Sequence, residues 1–309
     1  MADQLTQDLV AAFDALFGGN PTVRAAHAKG SCYQATFEAT PEAASLTRAP
    51  HMQGTPVPTT VRYSNGSGHL EASDAGREPR GMAVKFHLDE RRSTDIVSIN
   101  QPVFIVRTPE EVVEFMHLRV PDPQTGQLDF AALAAFVGAR PESQRAAQLL
   151  LSAPPLESFL RTEYFAIHAF RFVAADGAAR YGRYRWEPAL GVSSLTPEQA
   201  GELGPDYLQE DLRTRIAQGP AAFTLHIKLA NDDDDPDDPT AEWPDDREEI
   251  TAGRLVVTGP VDDPEKGCET LVFDPTRLCD GIEATADKIL NARPGAYAIS
   301  SKRRIKARK

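Results

Sequence analysis

Two stretches at opposite ends of the chain carry residues able to combine metal ligation with proton transfer. Arg293 precedes Tyr297 by four positions, and on a helix that spacing puts both side chains on one face, a turn apart. A guanidinium held there favours the phenolate over the phenol. A phenolate is a hard anionic ligand suited to ferric iron. Near the other end, His27 lies in Arg24-Ala25-Ala26-His27-Ala28-Lys29-Gly30. An imidazole can take a proton and return it near neutral pH, although most histidines only satisfy local hydrogen bonds. A third stretch, Val61-Arg62-Tyr63-Ser64, reads as a strand, so Arg62 and Ser64 share a face.

The elements that must hold these residues are mostly strands. Residues 4–17 carry Leu5, Leu9, Phe13, Leu16 and Phe17 at helical spacing, and Gly18-Gly19 ends that helix. From Tyr33 the apolar period becomes two, and similar patterns recur at 61–64, 82–88, 96–106, 164–173, 181–186, 223–229 and 255–257. About eight such strands joined by turn-rich loops predict an α+β fold built on an antiparallel eight-stranded β-barrel, with inserted and flanking helices. Thr108-Pro109-Glu110-Glu111 and Thr196-Pro197-Glu198-Gln199 read as capping boxes with proline at the first helical position. Residues 129–138, 142–151 and 206–217 are further helices. The run Asp232–Pro239 lacks the glycine and closing glutamate of a calcium loop and reads as a solvated acidic loop.

Composition excludes several partners. The net charge of −12, from 33 basic and 45 acidic residues, argues against nucleic acid or an anionic membrane. No stretch approaches the length of a membrane span, and no signal peptide is evident at the start. Three cysteines, Cys32, Cys268 and Cys279, form no metal-ligand spacing; they suggest a reducing, cytoplasmic setting without a disulfide framework, with Cys268–Cys279 the pairing left open. The basic run 302–309 reads as a solvated tail.

The motifs around these candidates resemble those of haem catalases. The heptad 24–30 is similar to the family's Arg-x-x-His-Ala-Lys-Gly, and Phe37-Glu38-Ala39-Thr40 to its Phe-Glu-x-Thr. Val61–Ser64, Asp74, Arg77 and Pro79–Phe86 resemble Val-Arg-Phe-Ser, Asp-x-x-Arg and Pro-Arg-Gly-Phe-Ala-x-Lys-Phe. Asp95–Arg107 is similar to Asp-Leu-Val-Gly-Asn-Asn-Thr-Pro-x-Phe-Phe-Ile-Arg, and Asp280–Tyr297 to the helix signature ending Arg-x-x-x-Tyr. Ile167-His168-Ala169-Phe170 weakly echoes Ser-His-Thr-Phe. The resemblance covers most of the chain and implies one catalase-like haem-binding domain over 1–309: an N-terminal helix in 1–23, the barrel with helical insertions in 24–260, and a proximal ligand helix in 280–304. It also implies that the C-terminal helical domain of large catalases is lacking.

What the resemblance implies about chemistry is specific. Tyr297 is the axial ligand of haem b iron, assisted by Arg293; His27 is the acid–base catalyst and Ser64 orients it. Arg24, Arg62 and Arg304 match the propionate arginines, although surface pairing is the other reading, above all for Arg304 in the basic run. Phe104 matches the distal aromatic and is also compatible with a core role. Three departures qualify the activity. Ile99 stands where catalases have a distal asparagine, and isoleucine donates no hydrogen bond; Asn100 should point to the opposite face. Gly66 at a channel-narrowing valine position is expected to widen access. Pro294-Gly295 is expected to loosen the Arg293–Tyr297 contact. The expectation is a haem peroxidase that reduces hydrogen peroxide or organic hydroperoxides with small organic donors, with weak catalase activity, acting as monomer or homodimer. A true small catalase, an allene-oxide-synthase-like enzyme and a haem carrier or sensor are the alternatives.

Overall fold

A computed structural model describes residues 4–308. The alternating apolar residues form ten strands: β1 (Gly30–Ala39), β2 (Val57–Asn65), β3 (Arg80–His87), β4 (Ser93–Ile99), β5 (Tyr164–Phe165), β6 (Phe170–Val173), β7 (Ala179–Pro188), β8 (Ala221–Leu229), β9 (Glu249–Pro260) and β10 (Ile282–Ala284). Neighbours pair antiparallel in the order β1-β2-β3-β4-β5-β7-β8-β9, and β9 pairs back to β1. Eight strands thus close a barrel, while β6 and β10 extend outward from the edge of β7.

Alternation decides which side chains fill the barrel. Val61 and Tyr63 of β2 are fully buried inside it with Phe37, Phe86, Phe223 and Trp186. Each such side chain contributes about 1.5–3 kcal/mol relative to exposure. Arg62 and Ser64 therefore point outward, toward the layer that covers the barrel.

The helices are α1 (Gln4–Phe17), α2 (Pro41–Leu46), α3 (Pro109–Leu118), α4 (Phe130–Gly138), α5 (Pro141–Ser152), α6 (Pro197–Gly201), α7 (Tyr207–Gln218) and α8 (Lys288–Ala307). Both expected capping boxes form, Thr108 with Glu111 and Thr196 with Gln199. A second apolar cluster, Leu9, Ala12, Val106, Val112, Met116, Phe136 and Ile289, joins α1, α3, α4 and α8.

Several expected boundaries shift. The strand expected over 96–106 stops at Ile99, and 100–106 runs as irregular chain. The strand expected over 164–173 is two short strands broken around His168. The run 302–309 is no free tail within the described residues: α8 continues to Ala307, Arg303 pairs with Asp14 at 2.7 Å, and Arg308 binds Glu265 and Glu269. The acidic run is a loop with Asp232, Asp233, Asp235 and Asp237 exposed, as expected, and is partly neutralised: Arg247 pairs with Asp233 and Asp234, and Arg107 with Asp238. Among the described residues no cluster of acidic, histidine or cysteine side chains is arranged to hold a metal, and no helix is long and apolar enough to cross a membrane.

The cysteines overturn the sequence expectation. Cys32 and Cys268 form a disulfide across 236 residues, and Cys279 is free. The inference of a reducing compartment from unpaired cysteines therefore lapses.

Candidate active site

The distal half is assembled by register. Gly30 of β1 pairs with Ser64 of β2, Ser64 with Gly81 of β3, and Gly81 with Ile99 of β4. Directly paired residues share a face, so these four form one row on the outside of the barrel. Gly81 leaves room that His27 takes, and Gly30 leaves room for the Arg62 guanidinium. A Cβ on Gly81 would lie 2.9 Å from His27 Nδ1 and 2.8 Å from Ser64 Oγ, and one on Gly30 would lie 2.8 Å from both Arg62 Nη2 and Ser64 Cβ.

His27 is held in place against its own backbone preference. Its φ of 54° is the only positive value at a non-glycine residue among the described ones, a strain of about 1–3 kcal/mol that persists only where surroundings enforce it. The His27 N–H donates to Gly66 O at 3.1 Å and the Ala28 N–H to Ser67 O at 2.9 Å. Two residues on, Lys29 Nζ is fixed by Asp74 at 2.8 Å, Asp206 at 2.6 Å and the carbonyls of Ala72 and Pro205. The imidazole Nδ1 then meets Ser64 Oγ at 3.0 Å. Burial lowers the His27 pKa, and the charges of Arg62, Arg293, Arg80 and Arg24 lower it further, to about 3. The imidazole is neutral at pH 7, as a base must be.

The proximal half hangs on one carboxylate. Asp287 Oδ1 caps α8 by accepting from Ile289 N and Leu290 N at 2.8 and 3.1 Å, while Oδ2 lies 2.6 Å from His168 Nδ1. His168 Nε2 stands 2.8 Å from Arg293 Nη1. Arginine only donates, so Nε2 accepts, Nδ1 carries the proton and Asp287 receives it. Arg293 Nε and Nη2 both donate to Tyr297 Oη, at 2.9 and 2.6 Å. Two charge-assisted donors thus converge on one oxygen and fix the position of the phenol ring. Pro294 does not loosen this contact, contrary to expectation. Gly295 has its own reason: a Cβ there would lie 2.7 Å from Thr6 Oγ1, so its absence lets α1 pack on α8.

Between the halves stand buried cations short of counter-charge. Burial lowers the pKa of Arg24, Arg62 and Arg304; the charge of Arg24 lowers Arg62 and Arg304 further, Arg308 lowers Arg24 and Arg304, and Glu269 is the carboxylate that opposes all three. Arg62 Nε and Arg304 Nε are buried without a partner. Arg304 is thus an interior residue of α8, 5% exposed. Phe104 is half-buried against the α1–α3 cluster. Asn100 is spent elsewhere: its Oδ1 accepts from Arg80 N at 2.6 Å. Gly66 opens no extra space, because its Cβ direction is blocked by Pro79 O at 2.8 Å.

Comparison with known proteins agrees with this arrangement. The family model described as Catalase matches residues 3–308. The chain belongs to the catalase family. It is 36% identical to a catalase-related peroxidase of Mycolicibacterium paratuberculosis over 93% of this chain and 90% of that one. It is 34% identical to a catalase-related peroxidase of Synechococcus elongatus, over 99% and 90%. Against the catalase of Mus musculus it is 30% identical over 91% of its own length but 56% of the mouse chain. A fungal catalase structure superposes with a TM-score of 0.83 at 26% identity, covering 92% of this chain and 60% of that one. Catalase-family proteins generally bind haem. The buried guanidinium nitrogens of Arg62 and Arg304 that lack a partner fit such a group, which carries two carboxylates.

His168 and Asp287 are the functional candidates that the sequence pattern left without a role. The signal for Asp287 was its place as a helix cap. For His168 it was the weak Ile-His-Ala-Phe echo, whose position in a strand break only the fold reveals.

Proposed function

We propose that this protein is a haem b-dependent peroxidase that reduces hydrogen peroxide or organic hydroperoxides with small organic donors and releases little oxygen. The observation that carries the reading is the double donation of Arg293 to Tyr297 Oη, anchored through His168 to Asp287. It supports Tyr297 as the axial oxygen ligand. Arg24, Arg62 and Arg304 would hold the propionates, their paired N–H groups matching carboxylate oxygens. When bound, haem supplies the iron at which the peroxide O–O bond is cleaved.

The chain's own residues handle the protons. In the tautomer that donates Nδ1–H to Ser64 Oγ, His27 presents a free lone pair at Nε2. That nitrogen takes the proton from the bound hydroperoxide oxygen and returns it to the leaving oxygen. Overall, one hydroperoxide and two one-hydrogen donors give an alcohol, or water from hydrogen peroxide, plus one water and two oxidised donors. Oxygen release instead requires a second hydrogen peroxide to be bound and oriented as the donor. Ile99 puts an apolar side chain on the row beside His27, where an amide could have done so.

Replacing His27 with alanine tests the assignment. Haem-loaded His27→Ala should keep its visible spectrum and lose about 10²–10⁴-fold in hydroperoxide-dependent donor oxidation, the usual size of a lost acid–base catalyst. Unchanged turnover would remove His27 from the mechanism.

A further inference from the structure

We infer that the Cys32–Cys268 disulfide positions Arg24, so that haem retention depends on the thiol–disulfide state of this pair; the inference rests on the haem reading above. Cys32 lies on β1 opposite Arg62 of β2, and paired residues share a face. The bond is therefore on the same outer face of the barrel as the arginine cluster. Its other end, Cys268, belongs to the single wide turn Glu265–Glu269, which has no side-chain cap.

Among the described residues, that turn and the residues just after it supply the acceptors of Arg24. Cys268 O accepts from Nη2 at 2.8 Å, Leu271 O from the same nitrogen at 3.2 Å, and Glu269 Oε2 from Nη1 at 3.1 Å. Glu269 is also the carboxylate whose charge opposes Arg62 and Arg304. Arg308, at the end of α8, reaches Glu265 and Glu269 as well. Arg24 itself sits between α1 and β1 in a stretch without regular structure, so its own backbone does little to aim it. One covalent bond fastens to the barrel the segment that aims Arg24 and balances its neighbours.

Both sulfurs are buried, Cys32 at 4% and Cys268 at 2% exposure, in a small apolar cluster with Phe273, Val261 and Leu271. Reduction by a dithiol passes two electrons and two protons to the bond: the S–S bond breaks, each sulfur becomes a thiol, and the dithiol closes to its own disulfide. The segment then keeps its apolar contacts, the Arg308 ion pairs and the Val261 N–H bond to Cys32 O, but loses its one covalent tie to the barrel, and the acceptors of Arg24 are held less firmly.

Haem loss from the loaded protein to excess apomyoglobin, followed by visible absorption, tests this. Oxidised protein is compared with protein reduced by dithiothreitol, and mass spectrometry counts the thiols. Reduction should speed haem loss about tenfold, the size expected when a charge-assisted hydrogen bond is weakened. The Cys32→Ser/Cys268→Ser double variant should lose haem at the faster rate from the start and ignore dithiothreitol. In Arg24→Ala, haem loss should be fast already, and reduction should add less than about twofold, because coupled residues do not act additively. Equal rates for oxidised and reduced wild type would overturn the inference. So would an undiminished response in Arg24→Ala, which would make the bond a general staple. Failure of the oxidised wild type to bind haem at all would overturn the haem reading, and this inference with it.

Discussion

Ile99→Asn should turn part of the peroxidase chemistry toward oxygen release. Residue 99 pairs directly with Gly81, which puts their Cβ positions about 4.5–5.5 Å apart on one face. The Cβ position at 81 lies 2.9 Å from His27 Nδ1 and 3.0 Å from Cε1. An asparagine amide reaches about 2.4 Å beyond its Cβ, far enough to meet a small oxidant lying against the imidazole. One neutral hydrogen bond is worth about 1 kcal/mol. An oxygen electrode read beside a donor-oxidation assay should therefore show the ratio of oxygen released to donor oxidised rising about five- to tenfold. An unchanged or smaller ratio in folded, haem-loaded protein would refute the role given to residue 99.

Other perturbations have equally definite outcomes. Gly81→Ala places a methyl 2.8 Å from Ser64 Oγ and 2.9 Å from His27 Nδ1, so peroxide turnover should fall by more than about tenfold while the barrel still folds, as circular dichroism would check. Asp287→Ala removes both the α8 cap and the His168 acceptor; stability should drop by about 1–3 kcal/mol in denaturant titration, with a shifted haem spectrum. Acid should destabilise the fold through buried histidines. His51 and His168 are lowered by burial to about 3 and about 4, whereas in the unfolded chain they titrate near 6.5. Below that value the unfolded state takes up protons that the folded state refuses, so stability is full above about pH 6.5 and falls as pH drops toward 4. At about pH 5 the loss is about 2 kcal/mol for each, which should lower the melting temperature by roughly 6 °C. A melting temperature constant from pH 7 to 5 would contradict this.

How much of this was legible in the sequence follows from the range of each interaction. Arg62 and Ser64 on one face, and Arg293 near Tyr297, are short-range facts set by strand and helix periods, and both hold in the fold. Asn100 pointing away from the row is the same kind of fact. The run 302–309 was misread as a solvated tail because consecutive basic residues look solvated, yet the helix simply continues and buries Arg304 on one face. The Cys32–Cys268 bond joins residues 236 apart, and no spacing rule pairs sulfurs from a strand and a distant turn. His168 looked like a residue within one strand. Its reach to Arg293 exists because the strand breaks there and α8 packs beside the gap.

The central claim is that Tyr297 is the axial ligand, and the visible spectrum of the haem-loaded protein tests it most directly. Wild type should show a high-spin ferric haem with the charge-transfer absorption of phenolate ligation, and Tyr297→Phe should lose that absorption while remaining folded. A Tyr297→Phe protein that binds haem with an unaltered spectrum would contradict the account.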